Sequence, residues 1–448
     1  MQAGVTGKTL VVGLGKTGLS CARFLASRGV AVAVTDSRAE PPGLARLRGE
    51  LLDLALFLGG FDPAVFEAAQ RLVVSPGVSI REPLIHAAAV RGVPVIGDVE
   101  LFAQVADAPV AAISGSNGKS SVTTLLGEMA LAAGLRTGVG GNLGEPALDL
   151  LDRPAELYVL ELSSFQLETT SSLRPRAAVV LNVSPDHMDR YTDLQHYADA
   201  KARIYAGAEV GVFNRDDPRV MAMHREGGEA LFFSLGPPAE DTFGLRGDAR
   251  DEWLCFGGEA LLPSAELKTP GRHNIANALA ALAMGSAMGL PMPAMLRALG
   301  EFRGLPHRTQ FIAERDGVRW YNDSKGTNVG ACVAALEGLR GGDRERTVLI
   351  AGGDGKGADF SGLKPVVAAH ARAVVLIGRD AGVIEQALDG VVPVAHAVDM
   401  DEAVARAAEF ALPGDRVLLS PACASFDMYR GYEHRGEVFV DALGRLLQ

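Results

Sequence analysis

The residues with the clearest chemical potential in this 448-residue sequence lie in one glycine-rich loop at positions 115–120. The loop follows the apolar run VAAIS, which predicts a strand, and it precedes a helical pattern. Glycines at such a junction let backbone N–H groups turn toward an anion, and the helix N-terminus adds partial positive charge. Lys119 can neutralise the β- and γ-phosphates of ATP, and the Ser120 hydroxyl can reach Mg²⁺. We predict an ATP-binding loop rather than a turn that only caps a helix, although Ile113 stands where the full P-loop pattern has glycine.

A second glycine motif lies near the start of the chain. Gly13, Gly15 and Gly18 follow an apolar run and open a helical pattern, and Asp36 ends the next apolar run. This arrangement is the dinucleotide fingerprint, which predicts NAD binding. The same backbone geometry suits any pyrophosphate-like group, and it also occurs where a helix packs closely on a strand without a ligand. The motif alone leaves these three interpretations open.

Isolated polar residues at the ends of apolar runs are further candidates. Glu161 ends LYVLE, and a carboxylate there is costly unless it is paired or binds a metal. His187 follows the next apolar run, within NVSPDHMDR, although a lone histidine is more often structural than a ligand. Lys201 lies in a helical pattern, and its residue type alone predicts a solvated surface position.

Three polar clusters come later in the chain. Asn274 and Asn277 are three residues apart at a predicted helix start, so both can face one ligand or simply cap the helix. His307 and Arg308 lie in a predicted linker. The third cluster follows a predicted strand and suits phosphate and ribose contacts; its members are Asp323, Ser324, Lys325, Thr327 and Asn328.

Short apolar runs that alternate with helical patterns predict an α/β protein with parallel sheets. We expect three domains, at residues 1–97, 98–303 and 304–448. The first and third are predicted to be Rossmann-like, and the second to be a P-loop-type ATPase sheet with a small antiparallel patch near 206–264. A hairpin is predicted to turn at Asp316 and Gly317. Ligands are expected at the carboxyl ends of the strands and between domains.

Composition narrows the function class. The formal net charge is −11, which argues against non-specific binding to nucleic acid or an anionic membrane. Cys21, Cys255, Cys332 and Cys423 lie far apart in apolar runs, which predicts buried thiols. No apolar run is long enough to span a bilayer, and the N-terminus lacks the features of a signal peptide, so we predict the cytoplasm, without membrane insertion.

Taken in order, these motifs make the sequence similar to the Mur ligases of peptidoglycan synthesis. The resemblance is carried by GSNGKSS, Glu161, NVSPDHMDR, AKARIY, GRHNIAN, LPHR and YNDSKGTN, and it covers nearly the whole chain. Within the family, the resemblance to the members that add D-glutamate is carried by GLGKTGLS, Asp36-Ser37-Arg38, GGDGKGADF and SPACASFDMYRGYEHRG.

The resemblance implies ATP-driven amide synthesis on small molecules. The alanyl carboxylate of UDP-N-acetylmuramoyl-L-alanine would attack the γ-phosphorus, and the amine of D-glutamate would then displace phosphate from the acyl phosphate. The implied cofactors are ATP, two Mg²⁺ ions and a CO₂-derived carbamate on Lys201, which would turn this lysine into a metal ligand. A cytoplasmic monomer without nucleic-acid partners is expected.

The resemblance also implies a role for each site residue. The catalytic set would be Lys119, Glu161, His187 and Lys201, and the metal ligands would be Ser120, Glu161, His187 and carbamylated Lys201. ATP would contact Gly115, Ser116, Asn117, Gly118, Lys119, Ser120, Ser121, Asn274, Arg308, Asp323 and Lys325. The UDP-substrate would contact Lys16, Thr17, Asp36, Ser37, Arg38, Gly77, Asn142 and Tyr432. D-Glutamate would contact Thr327, Lys356, Ser425 and Phe426.

The sequence departs from the family pattern at several of these positions. The family loop usually has threonine where this chain has Ser116 and Ser121, and both serines keep the hydroxyl. Other departures put single contacts in doubt; they are Lys16, Ser37, Phe426 and Tyr432. The rival functions are a nicotinamide oxidoreductase, a related ligase such as a folylpolyglutamate synthase or another Mur enzyme, and a non-enzymatic binding module.

Overall fold

Three β-sheets follow one another along the chain in the computed structural model, which describes residues 8–51, 53–225, 227–248, 251–269, 271–339 and 345–446. Each sheet brings loops that follow parallel strands to one edge, which is where ligands bind in open α/β sheets. The predicted α/β class with largely parallel sheets is therefore confirmed.

The N-terminal sheet has five parallel strands in the order β3-β2-β1-β4-β5. The strands are β1 (Thr9–Val12), β2 (Val32–Asp36), β3 (Ala55–Leu58), β4 (Arg71–Val74) and β5 (Val95–Ile96). The accompanying helices are α1 (Lys16–Ser27), α2 (Leu44–Glu50), α3 (Pro63–Glu67), α4 (Pro83–Val90) and α5 (Asp98–Ala103). The order reverses at β1, which places the glycine loop after β1 beside the loop after β4.

The central sheet has nine strands in the order β14-β13-β12-β11-β10-β9-β6-β8-β7. The strands are β6 (Val110–Ser114), β7 (Thr137–Gly141), β8 (Leu157–Glu161), β9 (Ala177–Val180), β10 (Val210–Asn214), β11 (Glu229–Phe233), β12 (Thr242–Arg246), β13 (Trp253–Phe256) and β14 (Glu259–Pro263). The helices are α6 (Lys119–Ala132), α7 (Ser164–Glu168), α8 (Leu194–Ala202), α9 (Pro218–Met221), α10 (Arg272–Ala287) and α11 (Met292–Glu301), with single 3₁₀ turns at Ala147–Asp152, Arg203–Tyr205 and Ser264–Glu266.

The antiparallel patch is smaller than its predicted span of 206–264. β10, β11 and β12 continue the parallel sheet beside β9, and only β12, β13 and β14 pair antiparallel. The patch is therefore an extension of the central sheet. The prediction included β11 in the patch, although this strand pairs parallel with β10 and β12 and only its last two residues are buried.

The C-terminal sheet has six strands in the order β15-β16-β20-β17-β18-β19. The strands are β15 (Gln310–Arg315), β16 (Val318–Asn322), β17 (Thr347–Gly352), β18 (Ala371–Ile377), β19 (Val394–His396) and β20 (Arg416–Leu419), and the helices are α12 (Val329–Gly338), α13 (Leu363–His370), α14 (Ala381–Leu388), α15 (Met400–Phe410) and α16 (Tyr432–Leu446). β15 and β16 form the predicted hairpin. Both turn residues have positive φ, 52° at Asp316 and 74° at Gly317, as a two-residue hairpin turn requires.

Apolar residues cover both faces of each sheet, so the central strands read as continuous apolar runs. Along β6, Ala112 packs into one core cluster, whereas Ala111 and Ile113 pack into the cluster on the opposite face. The four cysteines are buried and unbridged, as predicted. No helix in the described part of the chain is long and apolar enough to cross a membrane.

Candidate functional site

A cavity of about 940 Å³ lies between the three sheets and opens to solvent. It is bounded by the glycine loop after β1, the glycine loop after β6, the ends of β7 and β8, and the loop after β16. Most residues predicted to bind substrates line it: Lys16, Thr17, Asp36, Ser37, Arg38, Gly77, Ser116, Asn117, Lys119, Ser120, Asn142, Glu161, His187, Arg308, Lys325, Thr327 and Tyr432.

The loop between β6 and α6 has the conformation of an anion-binding loop. Gly115 and Gly118 have φ values of 147° and 85°, and Gly118 precedes the first turn of α6. Lys119 Nζ folds back onto the carbonyl oxygens of Gly115 and Ser116, at 2.8 and 2.9 Å. Burial lowers the pKa of Lys119, while Glu161 opposes the shift. The ammonium group is therefore held inside the curve of the loop, where phosphates would bind.

Arg308 and Lys325 reach the same loop from the C-terminal region. Arg308 Nη2 and Lys325 Nζ donate to Ser120 Oγ at 3.1 and 3.0 Å. Both side chains are partly buried, and desolvation of their charged groups lowers the pKa of Arg308 and brings that of Lys325 to about 8. Arg308 Nε has no hydrogen-bond partner among the described residues. Buried cations that share one hydroxyl favour a polyvalent anion as the ligand.

Lys201 is not the solvated surface residue that its type alone predicted. It is 1% exposed on the inner face of α8, because that face packs against the glycine loop. Its Nζ donates to Gly115 O at 2.9 Å and lies 4.4 Å from the centre of the Tyr197 ring. Burial lowers the pKa of Lys201 well below its usual value, and Lys119 adds to the shift. A neutral amine is therefore accessible to this side chain, and only the neutral amine is nucleophilic.

Glu161 ends β8 beneath the loop and is 2% exposed. Its Oε1 accepts a hydrogen bond from Asn142 Nδ2 at 2.6 Å, whereas Oε2 has no partner among the described residues. Burial alone would raise its pKa, but Lys119, Asn142 and Ser120 together bring the pKa below the usual value. A buried, ionised carboxylate with one unsatisfied oxygen suits a divalent cation.

His187 lies across the cavity from this carboxylate with a left-handed φ of 57°. Burial lowers its pKa, and nearby lysines such as Lys356 lower it further against the effect of Asp186. The imidazole is therefore neutral at physiological pH, as a metal ligand needs. In the described part of the chain, no three His, Cys, Asp or Glu side chains converge as a metal site. A metal ion at either Glu161 or His187 would thus complete its shell with other oxygen donors.

A second cavity lies behind the glycine loop, between α10 and the C-terminal region. Four further predicted ATP contacts line it, namely Gly118, Ser121, Asn274 and Asp323, with Asn277 beside them, whereas Gly115 is not among the lining residues of either cavity. Asp323 accepts hydrogen bonds from Thr309 N at 3.0 Å and Ser420 Oγ at 2.6 Å, and burial raises its pKa to about 6. Its carboxylate therefore fixes the loop after β16 in addition to facing this cavity.

Beside the glycine loop at 13–18, Asp36 forms hydrogen bonds with residues of the N-terminal region itself. Asp36 Oδ2 accepts hydrogen bonds from Leu14 N and Arg38 Nη2, both at 2.7 Å, and Asp36 Oδ1 accepts one from Arg38 Nε at 2.8 Å. A Cβ at Gly18 would lie 1.9 Å from the Gly13 carbonyl oxygen, so helix and strand are in close contact. Lys16 Nζ crosses the cavity to Gly144 O at 2.9 Å. The cavity wall here therefore joins two regions of the chain.

The residues predicted to bind D-glutamate do not all line the same cavity. Thr327 lines the main cavity, and Lys356 lines an adjoining cavity that shares His187 and Gly77 with it. Ser425 is buried in the loop after β20, and Phe426 is 75% exposed. Neither Ser425 nor Phe426 is among the lining residues of these cavities, so their roles stay predictions.

Sequence reasoning missed two of the residues that hold the loop at 115–120 in place, Asn182 and Ser184. Asn182 exchanges hydrogen bonds with the backbone of Asn117, and Ser184 exchanges them with Ser116 Oγ. Asn328 Nδ2 donates to Asn117 Oδ1 at 3.1 Å. The signal was present, because Asn182 and Ser184 lie in NVSPDHMDR directly after β9, but only its histidine was singled out.

Family models match three consecutive segments of the chain. Residues 7–97 match the model described as "Mur ligase MurD-like, N-terminal domain", residues 113–285 match "Mur ligase middle domain", and residues 307–423 match "Mur ligase, glutamate ligase domain". These segments correspond to the three sheets.

Curated relatives match over nearly the whole length. The UDP-N-acetylmuramoylalanine--D-glutamate ligase of Nitrosococcus oceani is 56% identical over 448 residues, which are 100% of this chain and 98% of the relative. The ligase of the same name from Marinobacter nauticus is 56% identical over 96% of this chain and 97% of its own. Among solved structures, a pseudomurein peptide ligase type C from Methanothermus fervidus has the same fold, with a TM-score of 0.64, 17% identity, and coverage of 98% of this chain and 100% of that one.

Proposed function

Because the chain belongs to the Mur ligase family, we propose that it joins D-glutamate to UDP-N-acetylmuramoyl-L-alanine in an ATP-dependent reaction of cytoplasmic peptidoglycan precursor synthesis. The observation that carries the proposal is the cavity at which the three sheets meet, because it places an ATP-type loop, buried cations and a second glycine loop within one space. Two relatives named for this reaction, each 56% identical to the chain, support the choice of substrates.

The domains at 1–97, 98–303 and 304–448 would divide the work. The first would hold the UDP part of the substrate with Lys16, Thr17, Asp36, Ser37, Arg38 and Gly77, helped by Asn142 and Tyr432 from the other two. The second would hold ATP, and the third would supply D-glutamate contacts. We propose a monomer, since each of these groups comes from the one chain.

Charge stabilisation is the first task of the chain's own residues. The alanyl carboxylate attacks the γ-phosphorus, an acyl phosphate forms, and ADP is the leaving group. Two anions approach each other in this step, so Lys119, Arg308 and Lys325 would screen them. The ammonium of Lys325 and the guanidinium of Arg308 already share Ser120 Oγ, where the transferred phosphoryl group would pass.

Amide formation is the second task. The D-glutamate amine attacks the acyl carbon, the C–N bond forms, the bond from that carbon to the phosphate oxygen breaks, and the amine loses a proton. Lys356 and Thr327 would orient the amino acid, and the enclosed space would keep water from the anhydride.

The residues also fit Mg²⁺. The unsatisfied Glu161 Oε2, the Ser120 hydroxyl and the neutral His187 ring are suitable donors, and bound Mg²⁺ would neutralise phosphate charge. A second ion needs another anionic oxygen near His187, and we propose that a carbamate on Lys201 supplies it. The buried, readily neutral Lys201 amine supports this, because addition of CO₂ to it yields a carboxylate-like group.

The rival functions fit less well. A nicotinamide enzyme would use Asp36 for a ribose hydroxyl, but Arg38 and Leu14 already occupy both carboxylate oxygens. A folate ligase does not need the N-terminal region that matches a MurD-like model. A binding module would have no use for three partly buried cations and a buried lysine around one anion-binding loop.

The direct test is phosphate release by the purified protein with ATP, Mg²⁺ and UDP-N-acetylmuramoyl-L-alanine. Release is expected when D-glutamate is added, and not when L-glutamate, L-alanine or diaminopimelate replaces it. Release with another amino acid instead of D-glutamate would replace the substrate assignment while leaving the ligase chemistry intact. Turnover of NAD would contradict both.

A further inference from the structure

Arg190 connects the loop after β4 to the region of His187. Its side chain is 13% exposed and belongs to the central region of the chain. Nη1 donates to Pro76 O at 2.9 Å and Nη2 to Val78 O at 3.4 Å. These carbonyl groups flank Gly77, which lines both the main and the adjoining cavity. One guanidinium group therefore fixes the backbone on both sides of a residue proposed to contact the UDP-substrate.

The other contacts of Arg190 lead to His187. The guanidinium carbon lies 3.8 Å from the centre of the Phe165 ring, and Nη2 pairs with Glu168 at 3.3 Å. The Phe165 ring centre lies 4.9 Å from that of the His187 ring. The backbone N–H of Arg190 also donates to His187 O at 2.9 Å. Arg190 thus supports the ring of His187 through Phe165 and holds the backbone of His187 directly.

We propose that Arg190 is a positioning residue that couples binding of the UDP-substrate to placement of His187 for the metal ion. The inference rests on the proposed function. Its physical basis is that the planar guanidinium group satisfies two carbonyls at its edge and stacks on Phe165 with its face, so movement of the 76–78 backbone shifts the ring that supports His187. His187 has a left-handed backbone, which only surrounding contacts can maintain.

Coupling of this kind is reciprocal. If the UDP-substrate favours the arrangement that presents His187, then saturation with UDP-substrate lowers the Mg²⁺ concentration needed for half-maximal activity. Bound Mg²⁺ in turn strengthens the binding of the UDP-substrate. A residue that only holds two regions together would change the stability of the protein without changing this mutual dependence.

Arg23 provides a matched control for that alternative. It also joins the N-terminal and central regions, through Asp149 at 2.9 Å, and it pairs with Glu50 of its own region at 3.5 Å, but it does not line the reaction cavities. Arg23→Gln therefore removes an ion pair between regions without touching the proposed connection.

The experiment compares Arg190→Gln, Arg190→Lys, Phe165→Leu and Arg23→Gln with the wild-type chain. Three quantities are measured: the dissociation constant of the UDP-substrate without ATP or Mg²⁺, the Mg²⁺ concentration for half-maximal phosphate release at low and saturating UDP-substrate, and the thermal midpoint. Phosphate release by the wild-type chain with D-glutamate separates failure of this inference from failure of the proposed function.

For Arg190→Gln we expect about tenfold weaker UDP-substrate binding and an Mg²⁺ requirement about tenfold higher that no longer responds to UDP-substrate. Phe165→Leu separates the two effects: UDP-substrate binding stays within about twofold, and the Mg²⁺ requirement rises about fivefold. Arg190→Lys keeps the charge but loses the planar fork, so its values should lie between those of wild type and Arg190→Gln.

The inference is overturned if Arg190→Gln behaves like Arg23→Gln, with a lower thermal midpoint and unchanged constants. It is also overturned if Arg190→Gln weakens UDP-substrate binding while the Mg²⁺ requirement keeps its normal response to that substrate. Should Arg190→Gln fail to fold, Arg190→Lys and Phe165→Leu decide the matter by the same two constants.

Discussion

The two glycine loops of this protein have the same local architecture and different surroundings. Each follows a parallel strand, opens a helix and contains at least one glycine with positive φ. Around the loop at 115–120 lie Lys201, which is buried, and Lys119, Arg308 and Lys325, which are partly buried. Around the loop at 13–18, Asp36 is neutralised by Arg38, whose side chain is 53% exposed. The difference teaches that loop geometry prepares a site for an anion, whereas the neighbouring charges determine which anion it takes.

The two loops also differ in what they connect. The loop at 115–120 is bound to the C-terminal region through Ser120 and Asn117, whereas the loop at 13–18 contacts the central region through Lys16. We infer that the reaction takes place at the loop at 115–120 and that the loop at 13–18 only binds part of the substrate. Each of the following predictions would sharpen or break that distinction.

The largest effect should come from the lysines of the two loops. Lys119→Ala should lower kcat about a thousandfold, because it removes a buried cation from the site of phosphoryl transfer. Lys16→Ala should instead raise the KM for the UDP-substrate and leave kcat nearly unchanged. Steady-state phosphate release measures both. Equal losses of kcat in the two variants would break the distinction between the loops.

Glu161→Gln should reduce kcat about a hundredfold, because the amide keeps the size of the side chain but loses the charge that would bind Mg²⁺. Raised Mg²⁺ should restore part of the activity. Direct binding of the UDP-substrate should stay at the wild-type level in this variant. If Glu161→Gln keeps full activity at low Mg²⁺, Glu161 is not a metal ligand.

Substitutions of Lys201 test whether the part of the cavity proposed to bind ATP contains a carbamylated lysine. Lys201→Arg should lose activity about as severely as Lys201→Ala, since arginine keeps the positive charge but forms no carbamate. Isotopically labelled carbon dioxide should appear on the peptide containing Lys201 after trapping. Full activity in Lys201→Ala, or in Lys201→Arg, would contradict the carbamate.

A smaller effect is expected at the other loop. Arg38→Ala removes the partner of Asp36 and should weaken UDP-substrate binding about tenfold, with little change in the KM for ATP. Arg46→Ala provides a control, because Arg46 forms a surface ion pair with Glu50 on α2 and does not line the main cavity. A rise in the KM for ATP with unchanged UDP-substrate binding in Arg38→Ala would reverse the assignment of the two loops.

The smallest effect concerns pH. Burial brings the pKa of Lys325 to about 8, so its positive charge is present below that pH and is lost as pH rises through it. The kcat/KM for ATP should therefore decline above about pH 8. In Lys325→Arg the decline should move to higher pH, because arginine stays charged. An unchanged profile in that variant would show that another group titrates.

The sequence predicted what depends on local pattern, and it predicted less well what depends on packing. Strand–loop–helix order fixed the three parallel sheets and both glycine loops. The antiparallel patch was placed too widely, because it included β11, a parallel strand of which only the last two residues are buried. Lys201 could not be recognised as buried from its residue type, since its burial follows from the packing of α8 on the ATP loop.

Contacts between site residues that are distant in the sequence also limited how much of the site could be predicted. Asn182 and Asn117 are separated by 65 positions, and Asn328 and Asn117 by 211. The pairing of β6 with β9 brings Asn117 and Asn182 together, whereas Asn328 follows a strand of the C-terminal sheet and meets Asn117 only where the two regions pack. The family resemblance supplied roles for Ser425 and Phe426 that the geometry of this structure does not test.

The central claim is that the ATP loop delivers its phosphate to a substrate carboxylate. Its most direct test uses UDP-N-acetylmuramoyl-L-alanine with a heavy oxygen isotope in the alanyl carboxylate. Mass analysis of the phosphate released with D-glutamate should find one heavy oxygen per molecule, because the acyl phosphate oxygen leaves with phosphorus. Phosphate without the heavy isotope, alongside amide product, would contradict an acyl phosphate and the role assigned to the loop at 115–120.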